Sequence, residues 1–346
     1  MTSASNPSPA PGTRDEDLAA MGRALALAAS VRTRTSPNPW VGCVVVAGDA
    51  WFEGATEPPG GPHAEAVALA AAGDRARGAT LYATLEPCAH HGRTPPCAQA
   101  VVDAGVARVV LATIDPDPQV AGRGVEFLRS NGVQVEVGVR EAEAALQLAP
   151  YLKHRRTGRP WVVLKLAATF DGRIAAPDGS SRWLTGEEAR ADAHRLRAAS
   201  DAVLVGAGTV RADDPELTVR LDESPERQPM RVVLGHAPDG ARVLPALELQ
   251  GELGDVLDEL GGKGVLQLLV EGGARVAHAF HRAGLVDRYV LYLAPALFGG
   301  DDALAMFRGP GAPDMGALWR GRIVAVEQLG PDLRIDLAPA TTAEAT

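Results

Sequence analysis

The segments HAE (residues 63–65) and EPCAHHGRTPPC (residues 86–97) indicate the chemistry of this 346-residue chain. They contain one histidine and two cysteines in positions to act together, and imidazole and thiolate are ligands that tetrahedral zinc prefers. Three protein ligands leave a fourth position for a water molecule, whose pKa zinc lowers to about 7. A glutamate two positions after the histidine can move a proton beside the metal without ligating it. We predict zinc ligation by His63, Cys88 and Cys97, and acid/base catalysis by Glu65.

Burial in an apolar core is the alternative role for the three cysteines. Cys43 lies inside the apolar run at residues 41–47 and fits that role. Cys88 and Cys97 each follow a proline instead, at the two ends of a loop rich in turn-forming residues. Three is an odd number of cysteines, which argues against a disulfide framework.

The order H-x-E, then P-C and a second cysteine, resembles that of the zinc-dependent nucleobase deaminases, in which the glutamate is the acid/base and not a ligand. In most of these enzymes two residues separate the cysteines, whereas eight separate Cys88 from Cys97. The run PCAHHGRTPPC is most similar to the deaminases of riboflavin biosynthesis. This resemblance implies an N-terminal domain with a cytidine-deaminase-like, three-layer α/β/α fold.

The same resemblance implies three contacts to the substrate. Asn38 is expected to contact the pyrimidine, and His90 and Arg93 are expected to contact the base or the ribose phosphate, for which an arginine fork is well suited. By its neighbours alone, Asn38 fits an Asx turn equally well. The family usually has a histidine where this chain has Thr56. Because a hydroxyl cannot hold a charge, we expect weaker substrate binding with the zinc chemistry unaffected.

Composition favours a cytoplasmic enzyme that acts on a small molecule. Lys plus Arg total 34 against 43 for Asp plus Glu, a net charge of −9, whereas nucleic-acid binders normally carry a basic footprint. No apolar run approaches the roughly 20 residues that span a bilayer. Residues 1–14 are small and Pro-rich and lack an apolar signal region, so they predict a disordered tail. We expect neither nucleic acid nor a membrane as partner.

Strand and helix patterns alternate through the first part of the chain. The strand patterns lie at residues 79–85, 108–113 and 133–137, and the helical patterns lie at residues 63–72, 97–104 and 124–130. Such alternation predicts a parallel sheet with crossover helices. Cys88 follows the carboxyl end of a predicted strand, which is where open α/β sheets place their ligands.

A basic run, KHRRTGRP (residues 153–160), follows a helix predicted at residues 141–152. Basic residues suit a helix C-terminus, and glycine followed by proline ends a helix. The run is therefore interpreted as a solvated helix end and not as a nucleic-acid patch. We place the domain boundary here, between a deaminase domain at residues 15–158 and a reductase domain at residues 159–340.

Four segments of the second domain resemble, in order, the reductase half of the same bifunctional family. They are KLAATFDGR (165–173), SRWLT (181–185), DAVLVGAGTVRADDP (201–215) and VEGG (270–273). The resemblance implies a dihydrofolate-reductase-like α/β fold with NADPH as cofactor. It implies cofactor contacts at Ala167, Trp183, Thr209, Asp213 and Gly273. It implies substrate contacts at Ser181, Arg197, Leu217, Arg220 and Glu271.

Two glycine-lined strand ends suit a phosphate-bearing cofactor. Gly273 lies between an apolar strand pattern at residues 265–270 and a helix pattern at residues 274–283, which predicts free backbone N–H groups for a pyrophosphate. Thr209 follows the second strand end and is placed to donate to a cofactor phosphate. Plain tight turns are the alternative at both places.

Lys165 is the one lysine in an otherwise apolar strand pattern. A buried ammonium needs a partner, so we predict that Lys165 faces a polar, substrate-binding cleft. Arg197, taken alone, fits a solvated helix face. The dipeptide at residues 235–236 is Gly-His where many family members have Asp-Ser, and the next helix comes early. We expect this shortened segment to weaken the hold on the adenosine end of the cofactor.

Residues 285–293 alternate like a strand that lies at an interface. The reductase family tends to dimerise through this domain, so a homodimer is expected.

The resemblance implies two consecutive reactions. The first is zinc-dependent deamination of 2,5-diamino-6-ribosylamino-4(3H)-pyrimidinone 5′-phosphate, and the second is reduction of the ribosyl group to ribityl by NADPH. A nucleoside or tRNA deaminase is one alternative, which the acidic composition opposes. A deaminase-only or non-catalytic homologue with an impaired reductase domain is the other.

Overall fold

The computed structural model of the chain describes residues 13–89, 96–221 and 227–340. The chain divides into two units, of which the first ends at Gly158 and the second begins at Arg159. Each unit is built around its own β-sheet. Within the described residues, no helix is both long and apolar enough to cross a membrane.

Six α-helices and five strands make up the described part of the first unit. The helices are α1 (Arg14–Val31), α2 (Ala64–Ala72), α3 (Cys97–Asp103), α4 (Arg123–Ser130), α5 (Glu141–Gln147) and α6 (Ala149–Thr157). The strands are β1 (Gly42–Ala47), β2 (Ala50–Ala55), β3 (Thr80–Ala83), β4 (Arg108–Leu111) and β5 (Gln134–Val137). A short 3₁₀ helix, Gly73–Ala76, follows α2.

The sheet of the first unit is mixed, in the order β2-β1-β3-β4-β5. The predicted parallel arrangement is confirmed for β3, β4 and β5. The other two pairings of this sheet are antiparallel: β1 pairs with β2 on one side and with β3 on the other. The β1–β2 pairing follows from a hairpin turn at Gly48, because a tight hairpin can only join antiparallel strands.

Two glycines on adjacent strands allow helices to approach the sheet closely. A Cβ on Gly42 would lie 1.9 Å from the Ala24 carbonyl oxygen of α1, and a Cβ on Gly54 would lie 2.2 Å from the Ala64 carbonyl oxygen of α2. Gly42 lies directly opposite Ala55, so these two residues share one face of the sheet. Gly54 is the neighbour of Ala55 along β2, and successive residues of a strand lie on opposite faces, so Gly54 lies on the other face. Helices α1 and α2 therefore cover opposite faces, which confirms the three-layer α/β/α fold.

The helix predicted at residues 141–152 is in fact two helices. It breaks at Leu148 because Pro150 lies in the first turn of α6, where its missing N–H is tolerated. Helix α6 also continues past the predicted end to Thr157, and Gly158 ends it with a positive φ of 73°. Most of the basic run thus belongs to the helix, with His154, Arg155 and Arg156 in its last turn.

Four helices and ten strands make up the described part of the second unit. The helices are α7 (Glu187–Ala198), α8 (Ala207–Asp213), α9 (Leu253–Gly262) and α10 (Ala274–Arg282). The strands are β6 (Trp161–Thr169), β7 (Arg173–Ala175), β8 (Ala202–Gly206), β9 (Met230–Leu234), β10 (Leu247–Leu249), β11 (Gln267–Val270), β12 (Arg288–Ala294), β13 (Leu304–Ala305), β14 (Gly321–Leu329) and β15 (Asp332–Pro339).

Eight of these strands form one sheet in the order β10-β9-β8-β11-β6-β12-β15-β14. The strands from β10 to β12 are parallel, and β15 and β14 are antiparallel additions at one end. The expectation that residues 285–293 form an interface strand is wrong, because β12 lies inside the sheet between β6 and β15. Its Val290 and Tyr292 are buried in the core, and β14 is the edge strand instead.

Candidate active sites

The three predicted zinc ligands meet at one end of the first sheet. His63 is the N-cap residue of α2, Cys88 follows β3, and Cys97 is the first residue of α3. Their ligand atoms, one nitrogen and two sulfurs, all lie within 4.8 Å of one another. Among the described residues, this is the group of histidine, cysteine and acidic side chains placed to hold a metal ion.

The distances within this cluster fit a tetrahedral zinc ion. Zinc–sulfur bonds of about 2.3 Å and zinc–nitrogen bonds of about 2.05 Å place sulfur and nitrogen about 3.6 Å apart at the tetrahedral angle. His63 Nδ1 lies 3.7 Å from Cys88 Sγ and 3.3 Å from Cys97 Sγ, which brackets that value. The donor set and its geometry therefore fit zinc with one coordination position left open.

The surroundings of Cys88 favour its thiolate form. The hydrogen bond between the thiols lowers the pKa of Cys88 to about 4 and raises the pKa of Cys97. The backbone N–H of Cys97 donates to Cys88 Sγ at 3.4 Å, which also stabilises negative charge on that sulfur. Since the thiolate and not the thiol is the metal ligand, Cys88 is prepared for ligation.

Glu65 lies beside the cluster on the first turn of α2. Glu65 is only 4% exposed, and this burial raises the pKa of its carboxyl group to about 7. A carboxyl group with a pKa near neutrality can both accept and donate a proton.

A cavity of about 540 Å³ opens onto His63, Glu65 and Cys88. Asn38 and Thr56 line it, as their predicted roles require. The Thr56 hydroxyl accepts the Val41 N–H at 3.1 Å and lies 3.4 Å from the Val41 carbonyl oxygen. Thr56 is therefore bound to the backbone and has little capacity left for a substrate. The two other predicted contacts, His90 and Arg93, lie outside the described residues.

Sequence reasoning missed the opposite wall of this cavity. Asp115, Asp117, Tyr151 and Arg155 line it. The two aspartates follow β4, whose carboxyl end lies next to that of β3, so their position had a detectable signal. Tyr151 and Arg155 had none, because only the tertiary packing turns that face of α6 toward the cavity.

A buried glutamate fixes the loop that carries Cys88. The Glu86 carboxylate accepts the backbone N–H groups of Gly122 at 2.9 Å and Val125 at 3.1 Å, at the start of α4. Negative charge is favourable at a helix N-terminus. Gly124 allows this approach, since a Cβ there would lie 2.1 Å from the Pro87 carbonyl oxygen.

In the second unit, Lys165 has the partner that its burial requires. Its Nζ lies 3.9 Å from Glu271 Oε2, and Arg197 makes a bidentate ion pair with the same carboxylate at 2.5 and 2.9 Å. Burial raises the pKa of Glu271, but the Arg197 charge and hydrogen bonds outweigh it and hold the pKa below its ordinary value. Burial lowers the pKa of Lys165.

A second cavity of about 400 Å³ is lined by Lys165, Trp183, Arg197 and Arg220, all predicted site residues. Arg197 thus faces this cavity and is not on a solvated face. Sequence reasoning missed two further lining residues of α7, Arg190 and His194. With Arg197 they follow helical spacing, which is the signal that could have found them.

The two glycine-lined strand ends meet each other. The Gly273 N–H donates to Thr209 Oγ1 at 3.1 Å, so this N–H is not free for a pyrophosphate as expected. The other N–H groups in the first turn of α10 have no acceptor within the helix, and the Thr209 hydroxyl keeps its own proton to donate. A phosphate-bearing cofactor such as NADPH fits this arrangement.

The remaining predicted reductase residues lie at other points of the second unit. Ala167 is on β6 and packs against the core. Asp213 ends α8, and its carbonyl oxygen accepts a hydrogen bond from Arg182 at 2.7 Å. Leu217 is buried with a positive φ of 56°. Ser181 is half-buried in the loop that precedes Trp183.

Together, the fold and the two sites define a zinc-dependent deaminase joined to a reductase. Residues 14–113 match the family model "Cytidine and deoxycytidylate deaminase zinc-binding region", and residues 160–335 match the model "RibD C-terminal domain". The chain belongs to the RibD family of riboflavin biosynthesis proteins, which are bifunctional deaminase and reductase enzymes.

Relatives match almost the whole chain. The riboflavin biosynthesis protein RibD of Escherichia coli is 41% identical over 92% of this chain and 98% of its own length. That of Mycobacterium tuberculosis is 44% identical over 92% and 96%. The solved structure of Acinetobacter baumannii RibD, 40% identical, covers 95% of this chain and 100% of its own with a TM-score of 0.89.

Proposed function

We propose that the chain catalyses two consecutive steps of riboflavin biosynthesis on a phosphorylated pyrimidine. The first step is hydrolytic deamination of 2,5-diamino-6-ribosylamino-4(3H)-pyrimidinone 5′-phosphate. The second is reduction of the ribosyl group to ribityl. Support comes from a Thermotoga maritima structure titled as a diaminohydroxyphosphoribosylaminopyrimidine deaminase and 5-amino-6-(5-phosphoribosylamino)uracil reductase, which is 33% identical and covers 95% of this chain and 100% of its own with a TM-score of 0.87.

His63, Cys88 and Cys97 hold zinc in the proposed deaminase. A bound zinc ion lowers the pKa of a coordinated water to about 7 and so supplies the nucleophile. Glu65 accepts the proton of the nucleophile and passes it to the leaving amino group, which departs as ammonia while the ring carbon becomes a carbonyl. A pKa of about 7 allows Glu65 to do both near neutral pH. Asn38 contacts the pyrimidine from the cavity wall.

The observation that carries this proposal is the buried Glu65 carboxyl beside a His–Cys–Cys cluster. The test is ammonia release from the pyrimidinone phosphate by zinc-loaded protein, with and without Glu65→Gln. Because general acid/base catalysis contributes roughly 10²- to 10⁴-fold, Glu65→Gln should lose activity by at least 10² while its zinc content is unchanged. Glu126→Gln removes an exposed carboxyl in the same unit and is the matched control.

Two results would count against the deaminase proposal. Ammonia release that survives Glu65→Gln at the wild-type rate would exclude the acid/base role. Wild-type protein that binds one zinc ion per chain but releases no ammonia would exclude the substrate.

In the proposed reductase, the basic cavity of the second unit binds the phosphorylated substrate. Lys165, Arg197 and Arg220 supply its positive charge, and Glu271 holds the first two in place. Bound NADPH would supply the hydride, which is added to the sugar C1′ as the C1′–O4′ bond of the ribosyl ring breaks. O4′ takes up a proton and becomes a hydroxyl of the ribityl chain, and NADP⁺ is released. The Thr209 hydroxyl and the N–H groups in the first turn of α10 contact a cofactor phosphate, and Gly273 holds Thr209 in place through its own N–H. NADPH oxidation with deaminated substrate tests this step, and Glu271→Gln should slow it while the exposed Glu259→Gln should not.

The acidic chain supports a free small molecule over a nucleic acid as substrate. With a net charge of −9, long-range attraction of a polyanion is absent, and phosphate contacts dominate nucleic-acid affinity. The thiols of Cys88 and Cys97 must stay reduced to bind zinc, which favours the cytoplasm. Because the chain is acidic, single-stranded RNA added to the deaminase assay should not inhibit ammonia release.

We further propose that two copies associate through the second unit. Edge strand β14 exposes Ile323 (65%) and Val326 (58%), and apolar edges of this kind are usually covered. Light scattering tests the association, and Ile323→Lys should shift the molar mass from that of a dimer to that of one chain.

A further inference from the structure

We propose that Arg155 binds the phosphate group of the deaminase substrate. This assignment deepens the proposed function and rests on it, because it presumes that a phosphorylated pyrimidine occupies the cavity beside the zinc site. It makes Arg155 a specificity-determining residue of the first reaction.

The charges that line the cavity leave few places for a phosphate. Glu65, Glu86, Asp115 and Asp117 contribute carboxyl groups to the lining, whereas Arg155 contributes the only arginine or lysine among the described lining residues. A phosphate dianion is repelled by ionised carboxylates and attracted by a guanidinium, whose planar fork of N–H donors matches phosphate oxygens. Within the described lining, Arg155 is therefore the side chain whose charge favours a phosphate.

The ion pair of Arg155 with Asp117 does not use all of the N–H donors of its guanidinium. Its Nε lies 3.3 Å from Asp117 Oδ2, and its side chain remains 29% exposed. A guanidinium has five N–H donors, and the ion pair with Asp117 faces one edge of it. The outer nitrogens can therefore bind a ligand while Asp117 holds the group in place.

A rigid support fixes the position of this guanidinium. Arg155 lies over the Tyr151 ring, 5.0 Å from its centroid, one helical turn away on α6. The Tyr151 hydroxyl donates in turn to Asp115 Oδ2 at 2.9 Å, and Asp115 is 4% exposed. Stacking on an aromatic face and a fixed carboxylate restrict the flexible arginine, so binding a phosphate costs little further ordering.

The negative charge of Asp117 does not cancel this attraction. Asp117 Oδ1 accepts the Gln119 N–H at 2.9 Å while Oδ2 faces Arg155. Its charge is thus spread over two donors. Removing that charge should free the guanidinium further, which makes Asp117→Asn informative alongside the loss of Arg155.

The test compares two substrates in wild type and in four variants, one of which is Asp117→Asn. Ammonia release is measured with the pyrimidinone 5′-phosphate and with its dephosphorylated riboside, for wild type, Arg155→Met and Arg155→Lys. Arg156→Met is the matched control, because Arg156 is the exposed neighbour on the same helix. Zinc content and thermal midpoint confirm that each variant is folded.

Arg155→Met should lower kcat/KM for the phosphorylated substrate about 10- to 100-fold, as expected for a lost hydrogen bond to a charged group. The loss should appear in KM, and the riboside should be affected less than threefold. Arg155→Lys should recover part of the loss, Arg156→Met should behave like wild type, and Asp117→Asn should lower KM for the phosphate.

The outcomes separate this inference from the proposed function. Wild-type protein that releases no ammonia from either substrate overturns the proposed function. Wild-type activity that is unchanged in Arg155→Met overturns the phosphate assignment alone. Equal losses on both substrates also overturn it, because they would mean that Arg155 only supports the cavity wall.

Discussion

Replacing Gly54 with alanine tests how the fold holds the zinc site. Gly54 on β2 faces α2, whose N-cap is the ligand His63 and whose first turn carries Glu65. The new Cβ would lie 2.2 Å from the Ala64 carbonyl oxygen and 2.5 Å from the Ala68 nitrogen. Both are backbone atoms of the helix, so no side chain can move aside to make room.

The required displacement follows from these contacts. Ordinary contact begins at 3.4 Å, and the difference from 2.2 Å is a shift of about 1.2 Å between helix and sheet. Zinc sites tolerate about 0.2 Å in their ligand distances. His63 would move with its helix, whereas Cys88 and Cys97 belong to other elements. Overpacking of this kind costs about 1–3 kcal/mol of folding free energy, so the protein should still fold.

We therefore expect Gly54→Ala to lose most of its zinc and its ammonia release, measured by metal analysis after dialysis and by the deaminase assay. Gly48→Ala is the control for a general loss of stability. Its φ of 60° is unfavourable for alanine, by about 1–2 kcal/mol, but nothing lies within 4 Å of the added Cβ. If Gly54→Ala kept full zinc occupancy and deaminase activity, the inference that this contact fixes α2 would be wrong.

Two further predictions concern stability and the cofactor. Asp17 makes a buried ion pair with Arg108 at 2.8 Å; Asp17→Asn should destabilise the first unit by about 3 kcal/mol, the low end for a broken buried pair, in urea unfolding at neutral pH. Burial raises the pKa of Asp17, but the hydrogen bonds and charge of Arg108 and Tyr82 outweigh burial and hold the pKa below its ordinary value. The stability that ionised Asp17 adds is therefore complete above that ordinary value and is lost as the pH falls through the lower, folded-state pKa. The variant lacks this loss, so its stability should fall less steeply with decreasing pH. Thr209→Val leaves the Gly273 N–H without an acceptor and should raise KM for NADPH about tenfold, since an unpaired buried donor costs about 1–3 kcal/mol. Thr209→Ser keeps the hydroxyl and should stay near wild type. An unchanged KM in the valine variant would show that Thr209 is not part of the cofactor site.

Several features of this protein could be predicted from the sequence because their signals are local. The H-x-E and P-C patterns combine rare residue types with turn-forming neighbours, and the described structure brings all three proposed ligands together. Strand and helix periodicities located most elements to within a few residues. Lys165 was predicted to need a partner, since one charge in an apolar strand needs compensation wherever the strand lies.

Other features depend on contacts between residues far apart in the chain. The antiparallel pairing of β1 with β3 is one of them, because an apolar strand pattern does not specify which strand lies beside it or in which direction that strand runs. The same holds for the interior position of β12, which alternates like an interface strand. The role of Thr56 is also a matter of packing, since its hydroxyl is bound to the Val41 backbone.

The sequence by itself determined the chemistry of this protein, because zinc ligands and an acid/base are specified by residue type and short spacing. Only the tertiary structure decided which charges meet the substrates. The basic run at the end of α6 gave no sign that Arg155 faces a cavity while Arg156 faces solvent. The physical reason is that the direction of a helix face depends on what packs against the helix, and those partners, such as Asp115 and Asp117, come from distant parts of the chain.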